Sequence, residues 1–267
     1  MALIIVVAAA GCGGEEDTEK TRVAAAFYPI AYAAKRVGGE GIEVYDVTPP
    51  GAEPHDVELS ARDVRRLRES DVVLYLGGGF QPALENAAED TEGRAVDLAG
   101  PGRDRHVWLD PVRYAGMVER IGVALGRRQA TGGLVAELRR LDGEFRRGLA
   151  RCRRRDFVTS HAAFGYLARR YGLQQIAISG QTPEAEPSPQ ELERVVDLVR
   201  AHDATTIFFE PLVSDRLADT IARETGARTA ALNPLEGLTE NQLDRGEDYF
   251  SLMRANLRAL REALGCS

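Results

Sequence analysis

Three of the four histidines in this chain lie in loops that directly follow predicted β-strands. His55 follows the second predicted strand, His106 follows the fourth, and His161 follows the first strand of the second half. The remaining one, His202, ends a predicted helix, where a cation suits the helix dipole, and we assign it no functional role. Ligands of open parallel sheets bind at the carboxyl ends of strands, and neutral imidazole is the commonest transition-metal ligand. The three loop histidines therefore predict a metal site suited to Zn²⁺.

A tetrahedral zinc ion needs one more donor than three histidines supply. Two glutamates near strand ends in the second half are candidates: Glu210 in "FFEP" and Glu236 in "LNPLEGLT". The residues alone leave both open. They also leave open an enzyme, because a zinc hydrolase keeps its fourth position free for water. The chain contains no HExxH motif, which weighs against that alternative.

Short β-like runs alternate with helical stretches along the chain, which is typical of parallel sheets with crossover helices. The predicted strands are 22–27, 42–47, 71–76, 94–98, 156–159, 173–178, 205–209 and 228–232. The predicted helices are 29–37, 60–69, 81–89, 162–171, 188–201, 214–225 and 247–263. This pattern predicts an α/β fold with two Rossmann-like lobes, each with a parallel sheet flanked by helices.

A different pattern occupies the middle of the chain. From about residue 131 to 152, apolar residues recur at steps of four, three, four and four, which gives one apolar stripe on a helix. The stripe consists of Leu134, Leu138, Leu141, Phe145 and Leu149. Such a helix is about 30 Å long. We therefore expect one long rigid helix to join the lobes and to permit little hinge motion. The predicted divisions are 21–126 for the N-terminal lobe, 127–153 for the connecting helix and 154–267 for the C-terminal lobe.

The first twenty residues have the pattern of an export signal. Residues 3–10, "LIIVVAAA", are too short to span a bilayer, and small residues and Cys12 follow them. The segment Ala9-Ala10-Gly11-Cys12 resembles a bacterial lipobox, although Ala9 stands where leucine is usual. We expect residues 1–20 to form a signal peptide, lipobox and tether. Lipidation of Cys12 would hold the mature protein on the outer face of the cytoplasmic membrane or in the periplasm.

Composition excludes several classes of ligand. The net charge of −7 argues against nucleic-acid binding, which needs a basic face. Aromatic residues make up only 6%, which argues against the wide apolar cleft that haem, cobalamin or a siderophore requires. In an exported protein Cys152 and Cys266 could form a disulfide, but two cysteines fix no geometry.

Five segments of the chain, taken in order, carry a resemblance to a known family. They are "GAEPHDVELSARDVRRLRESDVVLYLGGGF", "HVWLDP", "SHAAFGYLARRYGL", "FFEP" and "LNPLEGLTENQLDRGEDYFSLMRANLRAL". With the mid-chain helix, they resemble the cluster A-I solute-binding lipoproteins of bacterial zinc and manganese ABC importers, the ZnuA, AdcA and TroA type. The resemblance covers nearly the whole chain. It implies two lobes with one metal in the cleft between them.

The resemblance also implies the ligand set. The first three ligands of the family fall on His55, His106 and His161. Many members read "LDPLG" and bind metal through the aspartate, which is Asn233 here. Another branch reads "LNPLE-LT" and uses the glutamate, so Glu236 is the implied fourth ligand. Asn233 then becomes a turn residue beside the site, and Glu210 orients a ligand or supports the cleft.

Histidine at the third ligand position resembles the zinc-importing members, whereas some manganese members have a carboxylate there. Nitrogen donors favour zinc over Mn²⁺. The implied function is capture of Zn²⁺ outside the cytoplasm and delivery to an ABC permease, by a monomer that is not an enzyme. Binding of Mn²⁺ or Fe²⁺ by the same fold is the alternative. Adhesion to host matrix is known for part of the resembling branch. The histidine-rich loop of many zinc members is absent, since residues 88–105 contain no histidine.

Overall fold

The structure is a computed structural model that describes residues 20–182 and 188–267. Within them the chain forms two parallel four-stranded sheets with the same topology. The first contains β1 (Thr21–Ala25), β2 (Ile42–Asp46), β3 (Val72–Tyr75) and β4 (Arg94–Asp97), in the order β2-β1-β3-β4. The second contains β5 (Asp156–Thr159), β6 (Gln174–Ala177), β7 (Thr206–Phe209) and β8 (Arg228–Ala231), in the order β6-β5-β7-β8. The predicted two-lobed α/β fold is confirmed.

Helices connect the strands and cover the sheets. They are α1 (Tyr28–Gly38), α2 (Ala61–Arg68), α3 (Pro82–Glu89), α4 (Pro111–Ala124), α5 (Thr131–Gly148), α6 (Gly165–Tyr171), α7 (Pro189–Ala201), α8 (Arg216–Thr225), α9 (Glu240–Asp244) and α10 (Tyr249–Leu264). The sequence analysis missed α4 and α9. Helix α4 begins where the Asp110 carboxylate accepts hydrogen bonds from the backbone N–H groups of Val112 and Arg113. Helix α9 has only five residues, too few to show a period.

Two predicted helix ends were wrong by three or four residues. Helix α6 begins at Gly165 rather than residue 162, because His161 and the residues after it form a turn first. Helix α5 ends at Gly148 rather than near residue 152, although its apolar stripe is buried as predicted. Eighteen residues give α5 a length of about 27 Å.

One hydrophobic core joins the two lobes. Helix α5 packs on α1 and α4 of the N-terminal lobe and on α10, which in turn packs on β5 and β8. Phe27 of the first lobe, Phe145 of α5 and Phe157 of the second sheet belong to the same buried cluster. A smaller cluster, which includes Val158, Val195 and Ile221, lies between the second sheet and helices α7 and α8. The lobes therefore share their packing, which supports the expected stiff connection.

A disulfide links Cys152, just after α5, to Cys266, just after α10. The predicted lipidation site Cys12 lies outside the described residues. Among the helices of residues 20–182 and 188–267, none is long and apolar enough to cross a membrane.

Candidate metal centre

The structure brings together the four residues implied as metal ligands. His55 and His106 come from loops of the N-terminal lobe, whereas His161 and Glu236 come from loops of the C-terminal lobe. One ligand atom from each residue can be chosen so that all four lie within 4.8 Å of one another. The Oε1 atom of Glu236 lies 3.0 Å from Nε2 of His106 and 3.5 Å from Nε2 of both His55 and His161. The site therefore lies between the lobes and needs both of them.

Strand ends explain this convergence. His161 and Glu236 follow β5 and β8, and the loops that carry His55 and His106 follow β2 and β4. Parallel strands place all their carboxyl ends at one edge of a sheet, and here these edges face each other. His106, His161 and Glu236 are fully buried, and the His55 side chain is 5% exposed.

The rings of His106 and His161 are each held by a carboxylate. Nδ1 of His161 lies 2.7 Å from Glu210, which also accepts the backbone N–H of His161. Nδ1 of His106 lies 3.0 Å from Asp104, which likewise accepts the backbone N–H of His106. A carboxylate at Nδ1 fixes the tautomer that leaves Nε2 free for a metal. The sequence analysis named Glu210 but missed Asp104, whose only signal was its place two residues before His106.

His55 is held differently. It lies in a short 3₁₀ turn, Pro54–Asp56, whose preceding residue Glu53 accepts the His55 backbone N–H. Its ring packs on Phe80 with centroids 4.3 Å apart. Within the described chain, neither ring nitrogen of His55 makes a hydrogen bond. A buried ring whose nitrogens make no hydrogen bond has a nitrogen available to bind a cation.

The charges of the cluster also suit a cation. Burial alone raises the pKa of the Glu236 carboxyl, but His161, His106 and His55 outweigh it and hold the pKa well below its usual value. Burial lowers the pKa of His161, yet Glu236 and Glu210 hold it well above its usual value. Neither Glu236 oxygen accepts a well-formed hydrogen bond from the residues that the structure describes. This carboxylate is therefore buried, anionic and available to a metal.

The neighbouring Asn233 faces its own loop. Its Oδ1 accepts the backbone N–H of Leu235 at 2.7 Å, and its backbone pairs with the side chain of Asn256. Asn233 is not one of the four clustered residues, and neither is Glu210. Three imidazoles and one carboxylate are the number and the kinds of donor that a tetrahedral zinc ion takes.

Comparison with known proteins agrees with this geometry. Residues 23–263 match the family described as zinc-uptake complex component A, periplasmic. The chain belongs to this family. The resemblance predicted from the five motifs is thus confirmed. The family consists of zinc-uptake components rather than enzymes, which disfavours the hydrolase alternative.

Two relatives show the range of the match. The zinc-binding protein AdcA of Streptococcus pyogenes serotype M1 is 32% identical over 286 residues, which cover 91% of this chain and 56% of AdcA. The chain thus spans little more than half of that relative. The high-affinity zinc uptake system protein ZnuA of Bacillus subtilis (strain 168) is 30% identical over 304 residues, which cover 98% of this chain and 95% of ZnuA.

Solved structures share the fold. The laminin-binding protein Lmb of Streptococcus agalactiae, described as having adhesin and metal-transporting activity, superposes with a TM-score of 0.84 at 30% identity, covering 91% of this chain and 99% of Lmb. Zn(II)-bound AdcA from Streptococcus pneumoniae gives a TM-score of 0.80 at 34% identity, covering 92% of this chain and 58% of AdcA.

Proposed function

We propose that this protein captures Zn²⁺ between its two lobes outside the cytoplasm and delivers it to the membrane permease of an ABC importer. The observation that carries the proposal is the meeting of His55, His106, His161 and Glu236 within 4.8 Å. Membership of the zinc-uptake family and similarity to a Zn(II)-bound structure support it.

In this proposal the Nε2 atoms of the three histidines and one oxygen of Glu236 bind the ion. Asp104 and Glu210 orient two of the rings and increase their basicity. Asn233 shapes the loop that carries Glu236 and does not bind the ion. Three nitrogen donors favour Zn²⁺ over the harder Mn²⁺. Fe²⁺ and Mn²⁺ would bind more weakly at the same site.

Attachment and assembly complete the proposal. Cys12 would carry the lipid that holds the mature protein at the membrane, with residues 13–20 as its tether. The lobes would divide at residues 126 and 154, with the connecting segment 127–153 between them. The protein would act as a monomer, because one chain supplies all four ligands.

The test is zinc titration of the purified protein against a competing chelator, with metal content measured by mass spectrometry. We expect one tightly bound zinc per chain. Loss of a direct ligand in Glu236→Ala should weaken binding at least as much as loss of an orienting residue, about 100-fold or more. Asn233→Ala is the matched control on the same loop and should weaken binding less. A larger loss for Asn233→Ala would show that the fourth ligand is wrong.

A further inference from the structure

Asn256, on helix α10, holds the backbone of the loop that carries Glu236. Its side-chain Oδ1 accepts the backbone N–H of Asn233 at 2.8 Å, and its Nδ2 donates to the carbonyl oxygen of the same residue at 2.6 Å. Asn256 is only 2% exposed, so these bonds form away from water. A single amide thus satisfies both polar backbone groups of Asn233.

The loop continues from Asn233 to Glu236 through an unusual conformation. Leu235 has φ = 56°, in the left-handed region that non-glycine residues rarely adopt. The Oδ1 atom of Asn233 accepts the Leu235 N–H at 2.7 Å and helps to hold this conformation. Leu235 is also fully buried. The backbone direction at Glu236 therefore depends on Asn233, and Asn233 is fixed by Asn256.

Glu236 differs in this respect from two of the histidines. The rings of His106 and His161 are oriented directly by Asp104 and Glu210. The carboxylate oxygens of Glu236 receive no comparable hydrogen bond from the described residues. Its position therefore depends on the backbone beneath it, because the side-chain nitrogens nearest to the carboxylate, 3.0–3.5 Å away, belong to the three histidines of the metal site itself.

We propose that Asn256 is the positioning residue for Glu236. It fixes the loop so that the Glu236 carboxylate, rather than the side chain of residue 233, faces the three imidazoles. This inference rests on the proposed function and adds to it a residue that lies outside the metal site. It predicts that Asn256 controls zinc affinity and the preference for Zn²⁺ over Mn²⁺, because both depend on where the single oxygen donor stands.

The experiment is a double-mutant cycle of Asn256→Leu and Glu236→Gln, with Zn²⁺ and Mn²⁺ affinities measured for each protein. Leucine has a similar size to asparagine but makes neither hydrogen bond. We expect Asn256→Leu to weaken zinc binding about 10- to 100-fold, the range for residues that orient ligands. The double variant should bind no more weakly than Glu236→Gln alone, because residues that act through one another are not additive.

Two further variants separate positioning from general loss of stability. Ile221→Ala removes packing from the smaller core cluster of the C-terminal lobe, away from the metal loop, and should leave zinc affinity unchanged. Asn256→Asp keeps the oxygen that accepts the Asn233 N–H but loses the donor to its carbonyl. Asn256→Asp should show an intermediate loss of affinity, and it replaces the leucine variant in the experiment if that variant does not fold.

The possible results are distinct. If the Asn256 variants bind zinc as tightly as the wild type, or if their losses multiply with that of Glu236→Gln, the positioning role is wrong. If wild type binds no zinc, or if Glu236→Gln retains full affinity, the proposed metal site itself is wrong. X-ray absorption of the zinc-loaded Asn256→Asp variant should show a weakened or lost oxygen donor. A variant spectrum identical to that of the wild type would also contradict the inference.

Discussion

The indole N–H of Trp108 donates a hydrogen bond of 2.7 Å to the carbonyl oxygen of Pro234, across the boundary between the lobes. Trp108 lies two residues after His106, and Pro234 lies two residues before Glu236. A second bond between the lobes, from the N–H of Gly51 to the carbonyl oxygen of Leu238, spans 2.9 Å on the other side of Glu236. The Glu236 loop therefore cannot move far without breaking contacts between the lobes.

Replacement of Trp108 tests this coupling. Trp108→Phe leaves the buried carbonyl of Pro234 without its donor, which should lower the free energy of unfolding by about 1–3 kcal/mol. Zinc affinity should fall by about tenfold, because the loop that carries Glu236 is less well fixed. Chemical denaturation and chelator competition measure the two effects.

Tyr114→Phe is the matched control for Trp108→Phe. The Tyr114 hydroxyl donates to the carbonyl oxygen of Pro29 at 2.6 Å, in a buried bond within the N-terminal lobe. Its loss should lower stability but leave zinc affinity unchanged. Equal losses of affinity in both variants would mean that the bond to Pro234 has no special effect on the site.

The continuous core around α5 predicts small motion of the lobes. Zinc loading should leave the radius of gyration nearly unchanged in small-angle X-ray scattering, since wide hinge motion would have to break the shared packing of Phe145 with both lobes. Release of zinc would then occur by local rearrangement of loops. A change of several ångströms on zinc removal would contradict this prediction.

Asp104 offers a direct test of ligand orientation. Asp104→Asn replaces the acceptor at Nδ1 of His106 with a neutral amide, and should weaken zinc binding about 10- to 100-fold. The molecule contains its own control, because Asp156 pairs with Nδ1 of His202, a histidine outside the metal cluster, at 2.8 Å, and lies at the start of β5, at the end of the strand opposite to His161. Asp156→Asn should retain full affinity in the same titration. Similar losses in both variants would point to an effect of net charge.

Much of this architecture can be predicted from local sequence patterns. The strands and the apolar stripe of α5 can be predicted because their periodicity is visible within short stretches of sequence. The three loop histidines are identifiable because strand ends are where parallel sheets bind ligands. The start of α6 was misplaced because apolar residues continue the helical pattern back into the turn at His161.

The residues that hold the ligands could not be predicted in this way. Asn256 lies 20 positions after Glu236 in the chain, on a helix whose period shows it only as a buried polar residue. Its pairing with Asn233 depends on how α10 packs, which is a tertiary relation. The residues alone also left Glu210 and Glu236 open as the fourth ligand, because each follows a strand of the same sheet. Only in three dimensions does Glu210 lie at Nδ1 of His161, on the side away from Glu236.

The disulfide should stabilise the fold without taking part in binding. Cys152 and Cys266 are 114 residues apart in sequence and close a loop that contains the whole C-terminal lobe. Replacement of both by serine should lower the free energy of unfolding by about 2–5 kcal/mol. Zinc stoichiometry should stay at one per chain at temperatures where the variant is folded. Loss of zinc binding from a folded variant would show that the link also shapes the site.

The pH dependence of the site should differ between the metal-free and zinc-bound protein. In the metal-free protein, the lowered pKa of Glu236 stabilises the fold above the usual glutamate value of 4.5, and this is lost as pH falls through the lowered pKa. The raised pKa of His161 stabilises the fold below the usual histidine value of 6.5, and this is lost as pH rises through the raised pKa. These two groups therefore stabilise the metal-free fold most between pH 4.5 and 6.5.

The stabilisation of the fold by zinc should instead increase with pH, because zinc binds only deprotonated imidazole and competes with the protons that the cluster holds. The rise in Tm on zinc addition should be small at about pH 5.5 and should grow as the pH rises toward the raised pKa of His161. Thermal unfolding with and without zinc across this range measures the effect. His202→Gln, which removes a histidine outside the site, should leave the profile unchanged. A zinc-dependent rise in Tm that is constant with pH would show that the metal does not displace protons from the histidines.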